Sequence, residues 1–122
     1  MSGYIQAGYA RRQVIHTEES DRLYRGTASG FQVVELTISP PDADRALVVT
    51  GIVVSQGSPW ADCCQVELWG GEDILRRWRF PLCGAQPMEF VQGIRCAPGE
   101  DARLFAFCDG AELWLNMKCR LE

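Results

Sequence analysis

The stretch Ala46-Leu47-Val48-Val49-Thr50-Gly51-Ile52-Val53-Val54-Ser55 is the longest run in the chain dense in β-branched residues. Branching at Cβ suits a pleated surface, so the run reads as a strand. Strict alternation puts Leu47, Val49 and Val53 on one side and Val48, Thr50, Ile52 and Val54 on the other. Neither side is clearly polar. Such a strand is covered on both faces, which predicts a central place in its sheet or burial at a subunit contact.

The neighbouring segments read as further strands. Upstream, Arg22–Gly26 is a short first strand. Gly30 opens a second, in which Phe31, Val34, Leu36 and Ile38 carry the apolar positions until Ser39-Pro40-Pro41-Asp42 ends it, because proline cannot donate to a ladder. Downstream, Gln56-Gly57-Ser58-Pro59 closes the central run. Cys63–Trp69 and Ile74–Phe80 then flank a Gly70-Gly71-Glu72 loop. Met88–Gln92 follows an irregular link and continues past a bulge at Gly93. After Ala97-Pro98-Gly99-Glu100 come Ala102–Cys108 and Ala111–Leu121, split by Asp109-Gly110, the strongest short hairpin signal in the chain.

The total is about eight strands with turns every ~8–12 residues and no helical period. The fold expected is an all-β antiparallel β-sandwich, with a jelly roll of two Greek-key sheets favoured and an immunoglobulin-like sandwich as the alternative. Residues 22–122 would form this domain, and residues 1–21 an extended N-terminal arm. In that arm Tyr4, Tyr9, Arg11 and Arg12 are residue types suited to docking on a neighbouring subunit; the plainer reading is a loose tail.

A two-residue turn at Asp109-Gly110 fixes a register. Cys108 would face Ala111, and one face would hold Ala102 opposite Met117, Leu104 opposite Leu115 and Ala106 opposite Leu113. The other face would place Phe105 opposite Trp114, with Phe107 beside Glu112. Leaving Phe105, Phe107 and Trp114 in water forfeits roughly 1.5–3 kcal/mol per ring. That patch is therefore a subunit or ligand contact, unless a loop or the arm covers it. Arg76-Arg77-Trp78-Arg79 is the one basic cluster. Its plain reading pairs the arginines with Glu67 and nearby acids across the hairpin. Arg76 and Trp78, on an otherwise apolar face, add to the candidate contact surface.

Composition narrows the function class. Across 122 residues, 47% are hydrophobic and 23% charged, which is ordinary for one globular domain. A net charge of −4 argues against nucleic acid as a partner. No segment reaches the ~18 consecutive apolar residues of a membrane span. The first residues hold no apolar signal-peptide core, which predicts synthesis and retention in the cytosol. That favours six reduced thiols packed as small hydrophobes over a disulfide framework. His16 is the single histidine and no C-x-x-C occurs, so neither a zinc site nor a Cys–His or Ser–His pair is expected. The acidic pairs Glu72-Asp73, Glu100-Asp101 and Asp42/Asp44 fall in turns, where carboxylates usually cap and stay solvated. No enzyme and no cofactor are expected.

From about Ala46 onward the chain resembles small β-sandwich virion proteins of tailed bacteriophages and phage-like particles, of the capsid decoration, head-spike or fibre-base type. The residues that carry the likeness are L-V-V-T-G-I-V-V-S, I-L-R-R-W-R-F-P, the turn A-P-G-E-D-A-R-L and the D-G pair before the terminal strand. The resemblance implies a non-enzymatic structural protein of a virion, assembled in the host bacterial cytoplasm. It further implies a homo-oligomer, a trimer first, anchored through its arm to capsid or other virion proteins. The alternative is a carbohydrate-binding module for host-surface glycan, with Trp114 and Phe105 stacking on sugar rings. A small hydrolase ranks last.

Overall fold

The computed structural model describes residues 11–12, 15–20, 23–58 and 62–122. All the regular structure among them is β. Two short segments, β1 (Arg11–Arg12) and β2 (Ile15–Ser20), lie along β3 (Leu23–Ile38). The body comprises β3, β4 (Leu47–Gln56), β5 (Asp62–Gly70), β6 (Asp73–Leu82), β7 (Ala85–Arg95) and β8 (Ala102–Leu121). These six form one antiparallel sheet that curls until its inner face closes around a single core.

The curl is carried by β3 and β8, which pair along almost their whole length. Residues 23–31 of β3 run against 112–120 of β8, and this half of the sheet extends through β4 to β7. Residues 33–38 run against 102–107, and that half extends through β5 to β6. Between the halves, Phe31 pairs with Glu112 and Val33 with Phe107, so Cys108 to Ala111 bow out against Gln32 alone. Gly110 has φ +73° and Gln32 φ +67°, and the Gly110 N–H donates to Gln32 Oε1 at 3.1 Å. This corner turns one half of the sheet over the other.

Two expectations are corrected here. Asp109-Gly110 does not make a hairpin. Ala102–Cys108 and Ala111–Leu121 are parts of one strand, and both pair with β3 instead of each other. An aspartate–glycine pair supplies the positive φ that a bulge needs as readily as the one a tight turn needs. The expected core face survives, because alternation is local. Ala102, Leu104, Ala106, Leu113, Leu115 and Met117 all lie inside. The outer-face pairings do not survive. Phe105 stands between Glu35 and Glu67, and Trp114 stands between Ser29 and Ser55.

The second correction concerns β4. It is interior, between β7 and β8, as its sequence requires. Its ladder with β8 slips between Val49 and Gly51, however, so Thr50 is an extra residue there. That bulge moves Ile52 and Val54 onto the same face as Leu47 and Val49, and all four are buried in the core. The strand is therefore one-sided. Its outer face carries Val48, Gly51, Val53 and Ser55; Val48, 2% exposed, is covered by the β7 bulge at Gly93, while Val53 and Ser55 are part-exposed, so a second apolar layer over the whole face is not required.

Candidate functional site

Phe105 is 3% exposed on the outer face of the β5–β6 half and packs with Val33, Trp69 and Phe107. The Trp69 ring meets it edge-on, with centroids 6.2 Å apart, and the Arg103 guanidinium lies 5.2 Å from its centroid. Trp114 belongs to the other half. The structure thus separates the three aromatics expected together. Arg76 and Trp78 share a face, as expected, but differ in burial. Arg76 is exposed, its Nη1 donating to the carbonyl of Leu75 at 2.9 Å, while half-buried Trp78 stacks on Phe90 at 5.8 Å. A register slip in the β5–β6 ladder puts Leu75 against the core, beside Gly70 and packed with the apolar cluster. It is Ile74 that leaves the apolar face and pairs with Trp69, whereas Arg76 stays opposite Leu68. Of the arm residues, Tyr4 and Tyr9 lie outside the described residues, and Arg11 and Arg12 run parallel to Val34 and Glu35.

Sequence alternation missed a buried ionic row on the same face as Phe105. Glu67 is fully buried and accepts from Trp69 Nε1 at 3.1 Å and from Arg77 Nε at 3.2 Å. Glu35, 4% exposed, accepts from Arg103 Nη2 at 3.3 Å, and Arg103 Nη1 donates to the Gly71 carbonyl at 3.2 Å. Each carboxylate is neutralised by a guanidinium that it holds in place. The sequence signal was the Arg77–Glu67 cross-strand pair; the burial was not readable.

Three of the buried thiols are held protonated in the folded chain. Burial pushes the Cys64 thiol up to about 12 and the Cys96 thiol up to about 11, and it raises Cys119 as well. A thiol that stays protonated at neutral pH neither attacks nor binds a metal. Among the described residues no group of three His, Cys, Asp or Glu side chains could hold a metal ion. No helix of the described residues is long and apolar enough to cross a membrane.

What remains open for recognition is the outer face of the β4–β7 half. Trp114 is 46% exposed, and Gly57 lies against its ring: a Cβ at Gly57 would sit 3.1 Å from Trp114 Cη2. Ser29 and Ser55 flank it across the ladder. The next row outward holds Thr27, Asn116 and Val53, and the row after that Arg25, Lys118, Gly51 and Glu89. Gly51 lacks a side chain where Lys118 and Glu89 lean in, and their charged ends stand 3.6 Å apart. The result is a pit of about 300 Å³ lined by Arg25, Val53, Glu89, Asn116 and Lys118. An aromatic ring followed along one strand by an amide and a cation can stack on a ring and hydrogen-bond its substituents.

No protein-family model and no characterised protein sequence matches the chain. Solved structures resemble it only distantly. One is PliG of Aeromonas hydrophila, a periplasmic inhibitor of g-type lysozyme, at 6% identity and a TM-score of 0.46, over 91% of this chain and 96% of that one. Another is the Cnp3 cupin domain of Schizosaccharomyces pombe, at 10% identity and a TM-score of 0.41, over 87% and 57% respectively. A third is tomato aspermy virus, at 8% identity and a TM-score of 0.38, over 85% and 80%. Likenesses of this size fix neither family nor function.

Proposed function

We propose that the chain is a non-enzymatic structural protein of a virion, a capsid decoration, head-spike or fibre-base domain of the jelly-roll class that self-associates and anchors to the particle. One observation carries the self-association. Among the described residues β6 pairs only with β5, and β7 only with β4, so each is an edge strand of ten or more residues. A strand edge offers a row of backbone donors and acceptors to another copy. Ile74 on β6 and Val91 on β7 are exposed apolar residues on these edges. The contact is thus moved from the aromatic patch to the edges. The protein should sediment as a trimer or larger and travel with particles, and deletion of residues 1–20 should release it from them. A monomer at every concentration would end this reading.

Exposed Trp114 favours a second reading, a glycan-binding module. The ring and the Gly51 pit lie on one face, four residues apart along β8. Binding on a glycan array that Trp114→Ala abolishes, with assembly unchanged, would support it. An unaltered array profile in Trp114→Ala would remove it.

A further inference from the structure

Cys63 and Cys83 are exposed, whereas Cys64, Cys96, Cys108 and Cys119 are buried. The β5–β8 ladder runs from Gly70 opposite Ala102 to Gln65 opposite Phe107. The ladder stops there; continued by one step, the same register would set Cys64 against Cys108. Residues directly opposed on antiparallel strands have Cβ atoms about 4.5–5.5 Å apart, and a disulfide draws them to about 3.5–4.5 Å, a small adjustment. Both side chains are fully buried in the same core, and after burial itself the neighbouring Cys108 thiol helps to hold the Cys64 thiol up.

The other buried pair differs. Cys119 is opposite Val49, and Cys96 donates its N–H to the Leu47 carbonyl, so β4 lies between them. Two strand spacings, roughly 9.5 Å, exceed the ~7 Å Cα separation that a disulfide can span.

We propose that Cys64 and Cys108 are a disulfide site, closed by thiol–disulfide exchange with a small-molecule disulfide of the glutathione type. In the opened or refolding chain, where burial no longer holds Cys64 protonated, one protein thiolate attacks a sulfur of the small disulfide, forming a mixed disulfide and releasing one small thiol. The second protein thiolate attacks the protein-side sulfur and releases the other. One S–S bond breaks in the reagent and one forms in the protein, and the two cysteine protons leave on the two small thiols. The protein is oxidised and the reagent reduced. Cys108 is the first of the four residues bowed out opposite Gln32, where its ladder to β3 is interrupted. Local opening of that corner would expose its sulfur. The bridge would pin β5 to β8 beside the bend that folds the sheet.

The test uses the full chain carrying Cys63→Ala and Cys83→Ala, which removes the exposed thiols. In one arm the folded protein is incubated with oxidised glutathione. In the other, reduced unfolded protein is refolded in a glutathione redox buffer, so that burial cannot block reaction. The expected product is lighter by two hydrogen atoms, links the Cys64 and Cys108 peptides in a non-reducing digest, and melts about 5 °C or more higher. Adding Cys108→Ala abolishes the link. A refolded product bridged elsewhere, retaining glutathione, or holding four free thiols overturns the proposal.

Discussion

Glu67 and Arg77 allow the buried row to be tested quantitatively. Glu67 is fully buried, whereas the Arg77 side chain is 50% exposed, so the two ends of one 3.2 Å contact sit in different media. Removing one partner of a fully buried pair costs about 3–5 kcal/mol, because the other charge is left uncompensated. Arg77→Ala falls short of that, since water can enter where the half-exposed side chain stood and Trp69 still donates to Glu67. About 1–2 kcal/mol is expected. Glu67→Ala removes both contacts at once, strands the Trp69 N–H and opens a void, for about 3–4 kcal/mol. Urea unfolding of both single variants and the double variant, followed by tryptophan fluorescence, gives the coupling. It should be about 1 kcal/mol or more in favour of the pair. Additivity within ~0.3 kcal/mol, or a larger loss for Arg77→Ala than for Glu67→Ala, would refute the account of this row.

Gly93 has φ +79°, and a Cβ there would stand 2.2 Å from Val48 Cγ1, so Gly93→Ala should cost about 2–4 kcal/mol in chemical unfolding. Brief maleimide labelling of the folded protein near neutral pH should modify Cys63 and Cys83 and spare the four buried thiols. Cys64 and Cys96, with thiols held up near 12 and 11 against an ordinary 9.0, ionise later in the folded chain than in the unfolded one. The stability they contribute is complete below pH ~9 and is lost as pH rises through the 11–12 region, which thermal melts across that range will read. Val91, 97% exposed, should tolerate Val91→Lys with little change in melting temperature, while the charge at the β7 edge weakens self-association in sedimentation.

The local pattern along the chain determined a good deal by itself. Period-two alternation, turn chemistry and β-branching identified the strand segments and the inward residues of β5 and β8, because which face a side chain takes depends only on its near neighbours. The bulge expected at Gly93 coincides with a break in the β4–β7 ladder, where Phe90 to Gly93 oppose Thr50 alone. The composition and residue types left an all-β domain without a legible catalytic set.

Which strands pair was decided only by the tertiary structure. Asp109-Gly110 satisfies the backbone needs of a hairpin and of a corner equally, and the choice fell to β3. Its sixteen residues can pair with both halves of β8 and so close one core instead of leaving a short ribbon. The single extra residue at Thr50 reversed the facing of half of β4. A run that looked apolar on both sides became a one-sided strand, and the argument for a second covering over it went with that change. Phe105 and Trp114 then fell on different halves of the sheet, Phe105 buried and Trp114 46% exposed. Glu35 and Glu67 look solvated by alternation, yet their face is withdrawn from water, and their burial depends on Arg103, Arg77 and Trp69 arriving from other strands. Such pairings join residues far apart in sequence, and no local pattern encodes them.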